Sequence, residues 1–277
     1  MKNYISTLML ICFASFSQAQ NPYESQWKTV SDFEKQGLTK SAADVVEEIY
    51  NLAKKNDHPQ QRIKALIYKS KYMLTLEEDA QLNIVNNFKS EIETSDIITK
   101  HLLENLLATM YWHYFQQNRY QFYERTTTST KVSDDFRTWD LETLFNEIHT
   151  YYQRSLENGL LLQQEPIDHY KTLITEAKGS KDFRPTLYDL LSHNALEFYK
   201  TDENSITQPS YKFLIDDAKF LSEGDEFINL PLHSKDSSSL QLNALKIYQN
   251  LLKFHRKDKT SKAYIAVDIE RLNFVFQ

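Results

Sequence analysis

Eight histidines, several adjacent carboxylates and a dense run of aromatics are the residues of this chain that could do chemistry. Histidine serves as a metal ligand or proton carrier when suitable partners converge on it. The histidines stand at His58, His101, His113, His149, His169, His193, His233 and His255. None lies three or four residues from another, and no His-Glu-x-x-His sequence occurs, so no zinc helix is encoded. His101 with Glu104, and His149 with Glu147, have the nearest metal-like spacings, and each lacks a third ligand. They are read as structural or surface histidines. Serine never falls in a Gly-x-Ser-x-Gly elbow. Acidic pairs occur at Glu47-Glu48, Glu77-Glu78, Asp134-Asp135 and Asp216-Asp217. A glycosidase needs two carboxyls flanking a sugar, and local spacing does not bring any two pairs together. Tyr111-Trp112-His113-Tyr114-Phe115, with Tyr120, Phe122 and Tyr123 after it, could stack on a glycan. At helical spacing the same rings are expected to wedge neighbouring helices together. No catalytic, cofactor-binding or metal-binding residue is therefore assigned from sequence, and the chain is expected not to be an enzyme.

The elements that must position these residues are helices. The chain has 277 residues with only four glycines, at positions 37, 159, 179 and 224. Phosphate cradles need glycine where backbone approaches a ligand closely, and hairpin-rich sheets need it in their turns. Both become improbable on composition alone. Val45, Val46, Ile49, Leu52 and Ala53 share one face of a segment over 41–55, and Ile63, Leu66, Ile67, Tyr72 and Met73 do the same over 61–76. Further helices are expected at 79–93, 96–117, 139–157, 185–199, 237–256 and 261–273. The six prolines fall in breaks or at helix starts: Pro22, Pro59, Pro209 and Pro231 in loops, Pro166 and Pro185 at helix openings. Residues 118–138 are expected to form a long surface loop. Residues 201–236 should form an irregular insert, with a short strand or helix around Tyr211 to Phe220. The fold expected is all-α, an irregular array of antiparallel helix hairpins resembling a tetratricopeptide-like solenoid or α-α superhelix. The consensus residues of tetratricopeptide repeats are absent.

Residues 1–19 have the pattern of a secretory signal peptide. Lys2 precedes a short apolar run over 4–16, and Ser17-Gln18-Ala19 supplies small residues for cleavage. That run is shorter than the roughly 20 residues needed to span a bilayer. The division expected is a signal peptide over 1–19 and a helical domain over 20–277, with two packed halves meeting near residue 130. The periplasm or cell surface is the expected location, with no stable membrane span after cleavage. Cys12, the single cysteine, would leave with the signal, so thiol chemistry and disulfides are excluded from the mature chain. Lys and Arg number 32 against 38 acidic residues, giving a net charge of −6 without a basic stripe. Nucleic acid is therefore not an expected partner.

Five groups of segments carry a resemblance. They are GLTKSAADVVEEIYNLAKK (37–55) with IKALIYKSK (63–71), YWHYFQQNRYQFYERT within 103–125, DFRTWDL (135–141), YQRSLENGLLL (152–162) and FRPTLYDLLSHNALEFY (183–199). In this order they resemble the amino-terminal helical region of large bacterial alpha-2-macroglobulin-family proteins. The resemblance extends from about Trp27 to Phe276. It implies relation to envelope proteins that trap proteases through β-sandwich domains, a bait segment and, in many, a Cys-Gly-Glu-Gln thioester. This chain has no such thioester sequence and no run of alternating strands, so the trapping mechanism is not implied for it. The apolar ending IERLNFVF is read as a junction with missing sequence or the end of a truncated product. The function expected is a non-enzymatic interaction or scaffold module, with a protein partner and no cofactor. The alternatives are an independent helical binding module for envelope proteins or glycans and, more remotely, an all-helical polysaccharide-degrading enzyme.

Overall fold

A computed structural model describes residues 22–125, 133–201, 203 and 211–276, and among them the protein is all-α. The signal-peptide segment 1–19 and Pro209 lie outside the described residues. Eleven α-helices follow in order: α1 Pro22–Lys35, α2 Thr39–Lys55, α3 Pro59–Leu76, α4 Ala80–Thr94, α5 Ile97–Tyr123 and α6 Leu141–Ser155. After these come α7 Gly159–Gln163, α8 Leu187–Tyr199, α9 Gly224–Phe227, α10 Leu240–His255 and α11 Lys262–Phe276. No strand occurs among the described residues; within the stretch Tyr211 to Phe220, expected to hold a short strand or helix, residues 211–217 are irregular and a 3₁₀ helix begins at Ala218 and runs to Leu221.

The turns after α1 and α2 are made by local chemistry. Gly37, at φ +73°, reverses the chain after α1, and the Leu38 amide donates to the Phe33 carbonyl at 3.0 Å. Asp57 takes the left-handed role after α2, and the His58 amide donates to Ala53 O at 2.9 Å. Both satisfy carbonyls that a helix end leaves open. Pro22 and Pro59 open α1 and α3 and are not loop residues. The ring has no amide to lose at a first helical position. Pro185, expected to open a helix, lies outside α8. The cap is Thr186, whose Oγ1 accepts from the Asp189 amide while Asp189 Oδ2 accepts from the Thr186 amide. That reciprocal box fixes the start of α8.

The helix expected over 96–117 continues to Tyr123 through a kink at Asn118 (φ −119°, ψ 19°). The Asn118 side chain donates to the Tyr114 carbonyl at 2.9 Å, satisfying an acceptor within the kinked stretch. Beyond the kink, Phe122 stands edge-on to Tyr114 and Phe115, at 5.9 and 5.7 Å between ring centroids. Of the expected 118–138 loop, residues 118–123 belong to α5, 124–125 and 133–135 are turn or irregular, and Phe136–Thr138 form a 3₁₀ turn; residues 126–132 lie outside the described residues.

Tyr111, Trp112, Phe115, Phe122, Phe136, Trp139, Phe145 and Phe198 are all buried in one large apolar cluster. Edge-to-face pairs hold it, such as Phe115–Phe145 at 5.0 Å and Trp112–Phe198 at 5.4 Å. Phe122 and Phe136, on either side of residue 130, belong to this same cluster. A smaller cluster joins Tyr23, Val30, Val46, Ile49 and Tyr72 in α1 to α3. At its border Arg62 of α3 meets Glu91 of α4 at 2.8 Å, both buried. Asn105, fully buried in α5, donates to Ser155 Oγ and the Leu191 carbonyl, both at 3.0 Å, and accepts from Asn194. It ties α5, α6 and α8 at a point where apolar packing alone would leave their sliding unspecified.

Candidate functional site

The aromatic run offers no sugar platform at its centre, because Tyr111, Trp112, Phe115 and Phe122 are core residues. Tyr120 is exposed. The histidines are equally dispersed. His101 Nδ1 is 3.3 Å from Glu104 Oε2, as their spacing suggested, and its Nε2 is 3.2 Å from Asn158. His149 does not meet Glu147. Its Nδ1 takes the Tyr199 hydroxyl at 2.9 Å, burial holds its pKa below the ordinary range, and Glu147 pairs with Lys89. His58 meets the Tyr23 hydroxyl and His169 meets Glu165, while His113 and His233 are exposed. The acidic pairs lie at the surface: Glu47 pairs with Lys69, and Asp217 with Lys219. No group of three or more His, Cys, Asp or Glu side chains among the described residues could hold a metal ion.

The structure gathers titratable groups at another place, where the end of α10, the start of α11 and α9 enclose an open cleft of about 500 Å3. His255, the last residue of α10, forms its floor. His255 Nε2 is 2.7 Å from Asp189 Oδ1, and Nδ1 is 2.7 Å from Asp258 Oδ2. His255 and Asp189 side chains are completely buried, whereas Asp258 is about a third exposed. Burial alone would favour neutral imidazole, but the hydrogen bonds and charges of Asp189 and Asp258 outweigh it, and the pKa of His255 is raised. An imidazolium donates from both nitrogens. With both directed at carboxylates, neither is available to take a proton from a substrate.

Over this floor, Arg256 Nε is 3.1 Å from Asp225 Oδ1, and the Tyr264 hydroxyl donates to the same oxygen at 3.1 Å. Burial and Asp225 push the Tyr264 phenol up to about 12, so it is a donor and not a phenolate at neutral pH. Gly224 lets the α9 backbone approach Tyr264, since a Cβ there would collide with the tyrosine hydroxyl. The lining is mostly Glu223, Asp225, Arg256, Asp258 and Ser261. Small-molecule sites are mainly apolar with a few polar groups, so this cleft has the wrong balance for one. Its chemistry is that of a salt-bridged seam between elements.

Sequence reasoning did not single out Asp189, Asp225 or Asp258. Two local signals were available: Thr186-x-x-Asp189 is a capping box, and His255-x-x-Asp258 places a carboxylate one turn beyond an imidazole. Their convergence spans 66 residues between Asp189 and His255 and is a product of the fold. No family model, curated protein or solved structure matches the chain.

Beside the cleft, α11 has an inner face that is apolar except for Arg271 and an outer face that is apolar. Ala263, Val267 and Arg271 are buried, and Phe274 and Val275 pack on the main core. On the opposite side Ile265 is 51% exposed, Ile269 54% and Phe276 84%, with Leu272 half-buried between them. Steps of four, three and four residues put these four on one stripe.

Proposed function

We propose that the chain is a non-enzymatic helical scaffold of an exported alpha-2-macroglobulin-family protein, and that it docks a protein partner on the outer face of α11. The stripe Ile265–Ile269–Leu272–Phe276 carries this reading. A helix apolar on both sides is ordinarily covered on both sides, and a contiguous apolar surface on a folded protein marks an interaction site. The stripe carries no charge. It is flanked by Ala266 and Asn273 on one side, and on the other by Asp268, whose carboxylate is held by Arg271 at 2.7 Å. A partner helix with its own apolar seam fits such a surface better than a charged one.

The packing order supports an open solenoid: α1 lies on α2, α2 on α3, α3 on α4 and α4 on α5, with α8, α10 and α11 layered at the other end. The ordered segment similarities support the family, and the Lys2, apolar and Ala19 pattern supports export. No helix among the described residues is long and apolar enough to cross a membrane.

Site-specific photo-crosslinking in producing cells tests the docking face. A crosslinker replacing Ile269 is expected to trap one protein through an apolar segment, and Ile265→Glu to abolish the adduct. A crosslinker at exposed Thr29 of α1 serves as control. Equal yields at the two positions overturn the docking reading. The family reading is tested separately by neighbouring reading frames, where β-sandwich domains with a Cys-Gly-Glu-Gln segment are expected; their absence removes it.

A further inference from the structure

The carboxylates bracketing His255 are not equivalent. Asp189 stands in the first turn of α8, where the helix dipole favours a negative charge. Its other oxygen already accepts from the Thr186 amide at 3.0 Å and the Thr186 hydroxyl at 2.7 Å. Asp258 sits in the turn joining α10 to α11, and among the described residues its carboxylate has no hydrogen-bonding partner except His255. One partner is fixed in the core and the other hangs from the imidazole.

We propose that the Asp189–His255–Asp258 bridge is a proton-operated latch, which holds the α10–α11 turn closed while His255 is an imidazolium and frees that turn through Asp258 when the proton leaves. Neutral imidazole has one N–H and one lone pair. It can therefore satisfy only one of two carboxylates at 2.7 Å, and its lone pair repels the other. The proton stays on Nε2, toward anchored Asp189. The Nδ1 proton passes to solvent along the side of partly exposed Asp258, and the Asp258 contact becomes repulsive.

Other charged groups around the ring belong to the same seam. From α8, the Asp189 carbonyl also holds His193 Nδ1 at 2.7 Å. From α9 and the residue before it, Asp225 and Glu223 line the cleft, and Arg256 and Tyr264 are both bound to Asp225. These contacts span the cleft independently of Asp258, so release loosens residues 257–261 without detaching α10 from α9. Because folding raises the His255 value, the latch's contribution is complete below the ordinary histidine value of about 6.5 and is lost as pH rises through the folded value. The inference stands whether or not α11 docks a partner.

The full chain, labelled with 15N-histidine, tests this by NMR from about pH 5.5 to about pH 9.5. His255 is expected to carry protons on both ring nitrogens near neutrality and to titrate once, above about 6.5. In step with that titration, amide protection over 257–261 should fall at least about tenfold after correction for base-catalysed exchange. In Asp258→Asn the His255 value should drop and the protection of the turn should lose its dependence on the ring. A ring that titrates at or below the ordinary value overturns the latch, as does one still charged at the top of the range. Turn protection that stays flat through the titration also overturns it. If Asp258→Asn does not fold, the wild-type titration decides alone.

Discussion

Glu91→Gln is the sharpest test of how the layers hold together. Arg62 and Glu91 have side chains only 10% and 5% exposed, with Nε and Oε1 2.8 Å apart. Glu91 also accepts the Tyr50 hydroxyl at 2.6 Å, and Arg62 donates to Ser95 Oγ at 3.2 Å. Three helices, α2, α3 and α4, thus meet at one carboxylate. The glutamine keeps the shape but removes the charge, leaving the buried guanidinium without its contacting counter-ion, with only the longer-range charge of Asp96 beside it. Breaking a buried pair from one side costs about 3–5 kcal/mol. At about 2–4 °C per kcal/mol for a chain of this size, the melting midpoint should fall by about 10 °C. Replacing both partners, as Arg62→Met with Glu91→Leu, leaves no stranded charge and should recover most of that loss. Thermal and urea melts followed by far-UV circular dichroism measure both. A Glu91→Gln loss under about 1 kcal/mol refutes the reasoning, because it means the pair is not desolvated. A double variant less stable than Glu91→Gln refutes it too, because apolar side chains would then not fill the site.

Asn105→Ala should cost about 1–3 kcal/mol in the same melts, since it removes the buried amide's hydrogen bonds to Ser155, the Leu191 carbonyl and Asn194. Gly224→Ala should cost about 1–3 kcal/mol through its collision with the Tyr264 hydroxyl; Tyr264→Phe is expected to restore part of the loss, and no rescue would place the strain elsewhere. Burial would raise the Glu270 pKa, but the hydrogen bond from His193 and the charges of His193, Arg184 and Lys200 hold it below the usual carboxylate value. Its stabilisation is therefore present above the unfolded value of about 4.3 and is lost as pH falls through the folded value. Stability measured against pH should show a shallower acid limb in Glu270→Gln, and an unchanged limb would remove Glu270 from the linkage.

The long helices were legible because their apolar residues repeat on one face. The helix expected over 41–55 is α2 at Thr39–Lys55, and that over 61–76 is α3 at Pro59–Leu76. The first helix was missed although Tyr23, Trp27, Val30 and Phe33 step regularly along it. Polar residues dominate it, and Pro22 reads equally well as a loop or a first turn. The short α7 and α9 carry too few residues for periodicity, and their conformation depends on what they touch, as Gly224 against Tyr264 shows. The aromatic run was legible as core because its spacing is helical. The His255 bridge was not, since half of it arrives from α8 and only folding brings that helix to α10.

Arg271 has a consequence for the order in which the molecule assembles. Its guanidinium, fully buried over the Phe227 ring at 4.4 Å, donates to the carbonyls of Phe220 and Ser222, 51 and 49 residues earlier. Asp268 neutralises it from one turn away. Phe220 lies in the 3₁₀ turn at Ala218–Leu221, and Ser222 directly follows it. During synthesis at about 5–20 residues per second, the two carbonyls must wait several seconds for the side chain that satisfies them. This stretch is thus finished by a later segment, and the 220–222 turn becomes a late event governed by the arrival of α11.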